Sequence, residues 1–454
     1  MDQATIRLRA DWVIPIAGQP IAGGEVMVEE GRIVEVTPAP SSSAADVLDL
    51  GHCALLPGLV NAHTHLDYTV MRGRLEDLSF FPWIRAMVTL KTRLDEDDWL
   101  VSARLGAWEA VRSGITTIAD ATDSGAALDA ALDFGLRGIV YQETFGMDES
   151  IPVEAIMGDL KQRIEEHRQK AKGSRIQIGV SPHSPYTVRG ELFRRLAEYC
   201  NSQELPVCIH AAESLDEGRL FRDGSGPIGE MYAERGIAWH PPGATSIAYL
   251  DSLGILSDRT LLVHGVQLAA ADRKLLQRYD LGWVHCPKSN AKLGVGAALF
   301  GLLEGCYDSD KARVGLGSDS VASNNTMDLF EEMRFAVLLA RAQGRRVDLM
   351  TARRMLETAT IGGARCLHLE PEIGTLEPGK RADICAVRLD GSHIVPVNDP
   401  VAALVYSCRA GDVRLTMVEG EILYDGEKVT GVNEAELYRQ AEAVMKKLQG
   451  ESSL

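Results

Sequence analysis

The sequence has no paired cysteines. Its eight cysteines stand singly, at positions 53, 200, 208, 286, 306, 366, 385 and 408, and no Cys-x-x-Cys motif occurs. This spacing excludes a zinc ribbon and a thioredoxin-like redox site. A disulfide framework is not expected in a chain of 454 residues, and single cysteines fit a reducing compartment.

Long apolar runs and an excess of basic charge are also missing. No run approaches the roughly 18 apolar residues that a membrane span needs, and the N-terminal stretch MDQATIRLRADWVIP has no apolar signal-peptide core. The net charge of −17 opposes binding to nucleic acid or to an anionic membrane. We therefore expect a cytoplasmic protein whose partners include neither nucleic acid nor membrane.

Short apolar runs alternate with amphipathic helical segments over most of the chain. The runs cover residues 59–62, 115–119, 138–141, 176–180, 206–209, 260–263, 281–284 and 314–316. Eight such alternations predict an α/β fold with a parallel (β/α)8 barrel. An open doubly wound sheet is the alternative. We prefer the barrel because of the count of eight and because no Gly-x-Gly-x-x-Gly turn follows the first run.

Both ends of the chain have strand-like sequence instead. Glu30-Gly31 and Glu419-Gly420 are hairpin turn signals between segments rich in β-branched and apolar residues. We predict that the two ends form one small discontinuous β-sandwich domain, made of residues 1–57 and 371–430. The barrel then spans residues 58–370, and residues 431–454 add a C-terminal helix.

Histidines and carboxylates follow the eight apolar runs, at the strand ends where barrel active sites lie. They are His63 and His65, Asp120, Glu143, His183, His210 with Glu213, His264, His285 with Asn290, and Asp319. His63 and His65 are two positions apart, so in a strand both side chains point to the same face. Solvated surface histidines are the alternative for this pair alone. Six of the 11 histidines lie at strand ends, and this clustering indicates a metal site with hydrolytic chemistry.

Several motifs along the chain are similar to those of a known superfamily. They are PGLVNAHTH at 57–65, HAAE at 210–213, HGV at 264–266, HCPKSN at 285–290, GSDS at 317–320 and GTLEPGKRADI at 374–384. In this order they resemble the amidohydrolase superfamily, in its mononuclear-metal deaminase and chlorohydrolase branch. The runs HTHLDYTVMRGRLEDLSFFPW and SPHSPYT resemble most closely the deaminases of methylthioadenosine, S-adenosylhomocysteine and aminodeoxyfutalosine.

The resemblance implies a metal site and its catalytic neighbours. The implied metal ligands are His63, His65, His210 and Asp319. Glu213 matches the proton shuttle and His264 the residue that orients the attacking water or the tetrahedral centre, while Asp319 would also take a proton. One divalent metal is expected, because a two-metal relative needs a lysine after the fourth run and residues 176–186 contain none. Zn²⁺ is preferred and Fe²⁺ is the alternative, since imidazole suits both.

Residues for substrate binding are implied less directly. His183 resembles the family residue that contacts the substrate ring, or it has a structural role between Pro182 and Pro185. Trp83 lies in the segment after the first run, where this family keeps its lid. Glu143 and Asn290 are further candidates beside the barrel mouth. His285 is expected in the structural surroundings of the site rather than on the metal.

The segment after the first run departs from the family pattern. Relatives that act on adenosine-type substrates use a glutamate there to hold the ribose hydroxyls. Residues 78–94 contain no acidic residue, and Lys91 or Thr92 aligns with that glutamate. Asp95, Glu96 or Glu143 is the expected substitute. Recognition of ribose is therefore left open by the sequence.

The resemblance implies an enzyme that hydrolyses an exocyclic C–N bond. We predict a deaminase of an amino-substituted N-heterocycle, an adenosine-type nucleoside in the first place, which releases ammonia from a small-molecule substrate. An s-triazine chlorohydrolase or a guanine-type deaminase would keep the same site. The alternative of another class is a non-catalytic relative that keeps the barrel for assembly. A homo-oligomer is possible for either.

Overall fold

The strands of the protein were located in a computed structural model that describes residues 5–38, 46–298 and 313–450. They are β1 (Ile6–Val13), β2 (Ile21–Glu29), β3 (Arg32–Thr37), β4 (Asp46–Asp49), β5 (Cys53–Pro57), β6 (Leu59–Thr64), β7 (Ile115–Thr122), β8 (Arg137–Thr144), β9 (Ile176–Pro182), β10 (Val207–Ala211), β11 (Thr260–His264), β12 (Gly282–His285), β13 (Val314–Leu316), β14 (Ile384–Arg388), β15 (Val413–Val418) and β16 (Glu421–Tyr424). Within the described residues they form two sheets of eight strands each.

The helices mostly follow the barrel strands. They are α1 (Phe80–Lys91), α2 (Glu96–Arg112), α3 (Ala126–Asp133), α4 (Val153–Lys170), α5 (Gly190–Ser202), α6 (Leu215–Asp223), α7 (Pro227–Glu234), α8 (Ser246–Ser252), α9 (Asp272–Tyr279), α10 (Pro287–Lys292), α11 (Val321–Asn324), α12 (Leu329–Gly344), α13 (Ala352–Glu357), α14 (Gly363–Cys366), α15 (Pro400–Tyr406) and α16 (Glu434–Gln449). Short 3-10 segments cover Leu66–Met71 and Ala410–Asp412, and a π-turn covers Thr358–Gly362.

Strands β6 to β13 pair in sequence order, and all their ladders are parallel. A parallel bridge between Thr64 and Asp319 joins the two ends of the sheet, and the Asp319 amide donates to the His63 carbonyl at 3.0 Å. The predicted barrel is therefore confirmed, and its seam closes at residues of the expected metal site. Each of the eight apolar runs lies on one of these strands or overlaps it.

The barrel has an inner and an outer apolar layer. Inside, small and branched side chains from alternate strand positions pack together, among them Val60, Ala62, Ile139 and Val263. Outside, the strands pack on the buried faces of the helices. The helix expected at 95–112 is α2, which begins after Asp95 because that side chain accepts a hydrogen bond from the Asp98 amide at 3.1 Å.

The two ends of the chain meet in the second sheet, as expected. Its order is β16-β15-β14-β5-β1-β2-β3, with β4 paired to β1. The turns Glu30-Gly31 and Glu419-Gly420 connect hairpins, and in both turns the two residues have positive φ, as a type I′ turn requires. Strand β5 leads into β6 through Gly58 alone, so the sheet attaches directly to the start of the barrel. The exact domain limits stay predictions, and residues 451–454 of the expected C-terminal helix lie outside the described residues.

The seven cysteines that the structure describes are buried and unpaired, and Cys306 lies outside the described residues. Among the described helices, none is both long enough and apolar enough to cross a membrane.

Candidate metal centre and active site

Four side chains from three strand ends converge inside the mouth of the barrel. The Nε2 atoms of His63 and His65 each lie 3.5 Å from Asp319 Oδ1. The Nε2 atom of His210 lies 3.2 Å from that of His63 and 3.4 Å from that of His65. All four residues are buried. The structure therefore brings together the four side chains that the sequence singles out as ligands.

The spacing of these donor atoms fits a divalent metal. Ligands bound to Zn²⁺ at about 2.0–2.1 Å in tetrahedral directions are separated by roughly 3.3 Å. The separations of 3.2–3.5 Å match that value. Burial lowers the pKa of His65 to about 3 and that of His210 well below its usual value, so both imidazoles are neutral and offer a lone pair. The donor set is that of a divalent-metal site.

Backbone carbonyls fix two of the imidazoles. Nδ1 of His65 lies 2.6 Å from the Ala121 carbonyl oxygen, and Nδ1 of His210 lies 2.7 Å from the His183 carbonyl oxygen. Each Nδ1–H donates to its carbonyl, which leaves Nε2 unprotonated and directed at the centre. Because both carbonyls belong to neighbouring strand ends, the barrel itself sets the orientation of these rings.

A second pair of ionisable groups lies beside the four ligands. Nε2 of His264 is 3.6 Å from Glu213 Oε1, and Nδ1 of His264 is 2.9 Å from Asn290 Oδ1. Burial lowers the pKa of His264 to about 4. Burial, together with the charges of Asp319 and Glu217, raises the pKa of Glu213 well above its usual value. A neutral imidazole thus faces a carboxyl group that holds a proton readily.

The carboxyl group of Asp319 behaves in the opposite way. Burial by itself would raise its pKa, but a hydrogen bond from His63 and electrostatic interactions with the neighbouring imidazoles outweigh that effect and hold the pKa well below its usual value. Asp319 and Glu213 are therefore two buried carboxyl groups of one site with opposite proton affinities. Such divergence is typical of acid and base pairs in active sites.

Strained backbone marks the same strand ends. Ala212, His264 and Asp319 have φ values of 52°, 73° and 57°, in the left-handed region that non-glycine residues seldom adopt. Ala212 immediately follows β10, His264 ends β11, and Asp319 lies three residues after the end of β13. Strain of this kind persists where the surrounding structure fixes a side chain for function.

A cavity of about 1140 Å³ opens onto the metal centre. Its floor includes His65, His210, Glu213, His264 and Asp319, and its walls are largely apolar or aromatic. The segment after β6, expected as a lid, contains helix α1, which lies along one wall. The volume is enough for a heterocycle with a substituent of similar size.

Two of the four expected substrate contacts line this cavity. Trp83 lies on α1, and its indole Nε1–H donates to the Ala322 carbonyl at 3.4 Å. His183 packs against the ring of Phe145 at 4.8 Å between centroids, and its Nδ1 contacts the Thr187 hydroxyl at 3.0 Å.

The other two expected contacts lie behind the wall. Neither Glu143 nor Asn290 lines the cavity, and both are buried. Asn290 holds His264, as described above. Burial raises the pKa of Glu143 to about 8. His285 is also buried, stacks on Trp283 at 5.8 Å, and lies outside the four-ligand set, as expected.

Lys91 lies on the wall of the cavity. Its Nζ atom lies 2.6 Å from Asp123 Oδ2 and 3.1 Å from the Tyr68 hydroxyl, and it lines the cavity. The Tyr68 ring in turn stacks on the ligand His65 at 5.3 Å. The proposed substitutes Asp95 and Glu96 are exposed and do not line the cavity.

Glu217 is a site residue that the sequence reasoning missed. Its two carboxylate oxygens accept from the amides of Ala212 and Glu213 at 2.7 and 3.0 Å, so it fixes the turn that presents Glu213. A signal for it was present in the sequence. Ser214 and Glu217 have the Ser-x-x-Glu spacing of a helix N-terminal capping pair, and the Ser214 hydroxyl does accept from the Glu217 amide at 3.2 Å.

Comparison with known proteins identifies the family. Residues 54–423 match the profile described as "Amidohydrolase family", which is most of the chain. The chain belongs to the amidohydrolase family. The matched segment includes every barrel strand and all four residues of the candidate metal centre.

Curated relatives match this amidohydrolase along nearly its whole length. A 5-methylthioadenosine/S-adenosylhomocysteine deaminase of Desulforudis audaxviator is 34% identical over 449 residues, which cover 97% of this chain and 98% of the relative. A protein of the same name from Moorella thermoacetica is 33% identical over 441 residues, with 96% and 97% covered.

Solved structures of the family have the same fold. A zinc-bound adenosine deaminase from Xanthomonas campestris superposes with a TM-score of 0.85 at 25% identity, covering 98% of this chain and 99% of the other. A zinc-bound atrazine chlorohydrolase from Arthrobacter aurescens has a TM-score of 0.83 at 24% identity, covering 97% and 100%; at that identity the likeness concerns the fold alone.

Proposed function

We propose that this amidohydrolase is a zinc-dependent hydrolytic deaminase of an adenosine-type nucleoside. The observation that carries the proposal is the placement of Glu213 and His264 beside four converging metal ligands at the floor of one cavity. Deamination of an aromatic amidine needs an activated water, a proton for the ring nitrogen and a proton for the leaving amine. This arrangement provides a group for each.

The proposed metal ligands are His63, His65, His210 and Asp319. A divalent metal held by them would lower the pKa of a water towards about 7. Zinc is favoured over iron because the solved structures named above contain zinc. The other requirements of the reaction fall to the protein's own side chains.

Protons pass between three side chains in the proposed mechanism. Glu213 donates its proton to the ring nitrogen next to the amino-bearing carbon, which makes that carbon electrophilic. Asp319 accepts the proton that the attacking water loses, because its carboxylate is ionised within reach of the centre. His264 accepts a hydrogen bond at Nε2 and orients the water, since its Nδ1–H is committed to Asn290. Asp319 then passes its proton to the leaving amine, and the hydroxyl proton of the tetrahedral centre returns to Glu213. The C–N bond breaks as the C=O bond forms, and ammonia leaves.

An adenosine-type substrate is supported by the curated relatives, which are named as deaminases of methylthioadenosine and S-adenosylhomocysteine. His183 would contact the purine ring, and Trp83 would cover it from the lid helix. For Glu143 and Asn290, burial behind the wall favours support of neighbouring side chains over direct contact with the substrate.

A second candidate is a base or triazine substrate without ribose. The observation that favours it is Lys91, because an ammonium group stands on the wall where adenosine-specific relatives hold ribose with a carboxylate. A guanine-type deaminase or an s-triazine chlorohydrolase would use the same metal centre. The substrate screen below separates the two candidates.

The test is ammonia release from a panel of adenosine, methylthioadenosine, S-adenosylhomocysteine, aminopurines, pterins and aminotriazines, with chloride release measured for chlorotriazines. The proposal expects the highest kcat/KM on a nucleoside. A protein that prefers free bases or triazines would replace it with the second candidate.

Metal analysis complements the screen. The proposal expects about one zinc per chain, and Asp319→Ala is expected to lose both metal and turnover. If wild-type protein prepared with excess metal holds no stoichiometric metal and shows no turnover, the result would instead favour the alternative that the chain is a non-catalytic relative. A cytoplasmic location and a homo-oligomeric state stay predictions.

A further inference from the structure

The two carboxylate oxygens of Asp319 have different surroundings. Oδ1 faces Nε2 of His63 and of His65 at 3.5 Å each. Oδ2 points away from the centre and meets two serine hydroxyls: Ser289 Oγ at 2.5 Å and Ser323 Oγ at 2.9 Å. One oxygen therefore belongs to the metal centre, and the other is held by the protein.

The two serines come from separate strand-end segments. Ser289 lies in α10, after β12, and Ser323 lies in α11, after β13. Both are fully buried, and their hydroxyl oxygens are 2.9 Å apart. Ser289 belongs to the HCPKSN motif, but the metal and the proton transfers described above use neither hydroxyl.

The hydroxyls restrict how Asp319 can turn. Asp319 has a strained backbone with φ at 57° and lies outside a regular strand. A regular strand therefore does not fix the direction of its side chain. Rotation about the Cβ–Cγ bond would exchange the two oxygens or place both towards the metal. The hydrogen bonds from the two serine hydroxyls to Oδ2 oppose this rotation. The rotation would leave Oδ2 and both buried hydroxyls without their hydrogen-bond partners.

Ser289 is the stronger of the two donors. Its contacts are Asp319 Oδ2 and Ser323 Oγ, and the shorter contact takes its single proton. Ser323 has competing acceptors, because its hydroxyl also lies 3.0 Å from the Ser320 carbonyl and 3.1 Å from the Ser320 hydroxyl. The two serines are therefore expected to contribute unequally.

We propose that Ser289, assisted by Ser323, is a positioning residue that holds Asp319 as a one-oxygen metal ligand. This rests on the proposed function in one respect, namely that Asp319 is a ligand of a bound metal. Partners that orient a metal ligand in this way typically contribute about 10–100-fold to metal affinity. The role is distinct from capping α11, which Ser320 performs with its own hydroxyl.

The test compares Ser289→Ala, Ser323→Ala and wild type by zinc dissociation constants from chelator competition, and by the visible absorption of the Co²⁺-substituted proteins. Ser289→Ala should weaken zinc binding about 10–100-fold and change the Co²⁺ spectrum, because Asp319 gains a second orientation. Ser323→Ala should do the same to a smaller extent. The matched control is Thr416→Val, which removes a buried hydroxyl that donates to the Val111 carbonyl at 2.7 Å in the small sheet. It should leave both readouts unchanged.

Unchanged zinc affinity and an unchanged Co²⁺ spectrum in folded Ser289→Ala would overturn the proposal. If Ser289→Ala does not fold, as judged by circular dichroism, Ser323→Ala decides instead, because it removes the other donor to Oδ2; it should weaken zinc binding, and wild-type affinity would count against the role. Failure of wild type itself to bind zinc would reject the proposed function rather than this inference alone.

Discussion

Glu213 and Asp319 illustrate how residues of one chemical type acquire opposite roles a few ångströms apart. Both are buried carboxylic acids, and desolvation raises the proton affinity of both. For Asp319, a hydrogen bond from His63 and electrostatic interactions with the neighbouring imidazoles reverse the effect. Glu213 has a carboxylate neighbour on each side, Asp319 and Glu217, which reinforces it. The protonated form is therefore favoured in Glu213 and the ionised form in Asp319.

Glu213→Gln is expected to lower turnover by roughly 10²–10⁴-fold while zinc stays bound, because the amide keeps the shape and cannot deliver the proton. Ammonia release and metal content measure the two effects. Glu149→Gln serves as the control, since this carboxylate lies at the exposed rim of the same cavity and should retain activity. Full activity of Glu213→Gln would contradict a role of Glu213 in proton transfer.

Asn290→Ala is expected to lower kcat by about 10–100-fold with little change in metal content. The physical reason is that His264 loses the acceptor for its Nδ1–H, so the ring can turn or change tautomer. Steady-state kinetics measure this, with the metal content checked in parallel. A rise in KM at unchanged kcat would point to substrate contact instead and would contradict the positioning role.

Among the secondary-structure elements, β6 and β13 matter most for the metal centre. They form the seam of the barrel, and β13 has three residues. The ladder between them is reduced to the Thr64–Asp319 bridge, while the neighbouring β7–β8 pair aligns six residues. Because the proposed ligands lie on both sides of the seam, a bound metal would also connect the two strands.

Metal removal is therefore expected to lower thermal stability. A metal that binds only the folded state stabilises it by about 4 kcal/mol at 1,000 times its Kd, and here the proposed ligands lie on both sides of the Thr64–Asp319 bridge. Calorimetry with and without chelator measures the effect. The control is Asp319→Ala, whose Tm should no longer respond to zinc; an equal response in that variant would place the stabilising metal elsewhere.

At the scale of the whole molecule, the small sheet covers the end of the barrel opposite the active site. Its contacts lie near the starts of the barrel strands, where Gly58 donates to the Asp383 carbonyl. The Arg137 guanidinium on β8 makes hydrogen bonds of 2.6 and 3.1 Å to the Asp383 carboxylate, and both side chains are largely buried. This pair ties the end of the chain to the barrel.

Asp383→Ala is expected to destabilise the protein by about 3–5 kcal/mol, because the buried Arg137 guanidinium loses both hydrogen bonds to Asp383 and keeps, among the described side chains, only a 3.6 Å contact with Glu419. Denaturant unfolding measures the loss, and zinc content at 25 °C should be unaffected. Asp133→Ala is the control: the Arg104–Asp133 pair has a similar distance of 2.6 Å but is exposed, so its loss should change stability by about 0–1 kcal/mol. Equal losses in the two variants would show that the buried pair has no special role.

The sequence alone determined the alternation of eight strands with helices, and with it the barrel, because hydrophobic periodicity and strand-ending residues are local properties. It also pointed to the metal centre. In a parallel barrel all strands end at one face, so His63, His210 and Asp319, far apart in the chain, were expected to meet there. The hairpins at Glu30-Gly31 and Glu419-Gly420 were equally local signals.

Only the tertiary structure decided what surrounds those residues. Three arrangements depend on side-chain directions across different strand ends, which no spacing within one segment encodes. They are the contact of Asn290 with His264, the hydrogen bonds of Glu217 to the turn at Glu213, and the contact of two serine hydroxyls with one oxygen of Asp319. The same holds for Lys91, whose place on the cavity wall follows from how α1 packs over Tyr68. Linear patterns identify which groups can act, and packing between distant segments sets their orientation and their proton affinity.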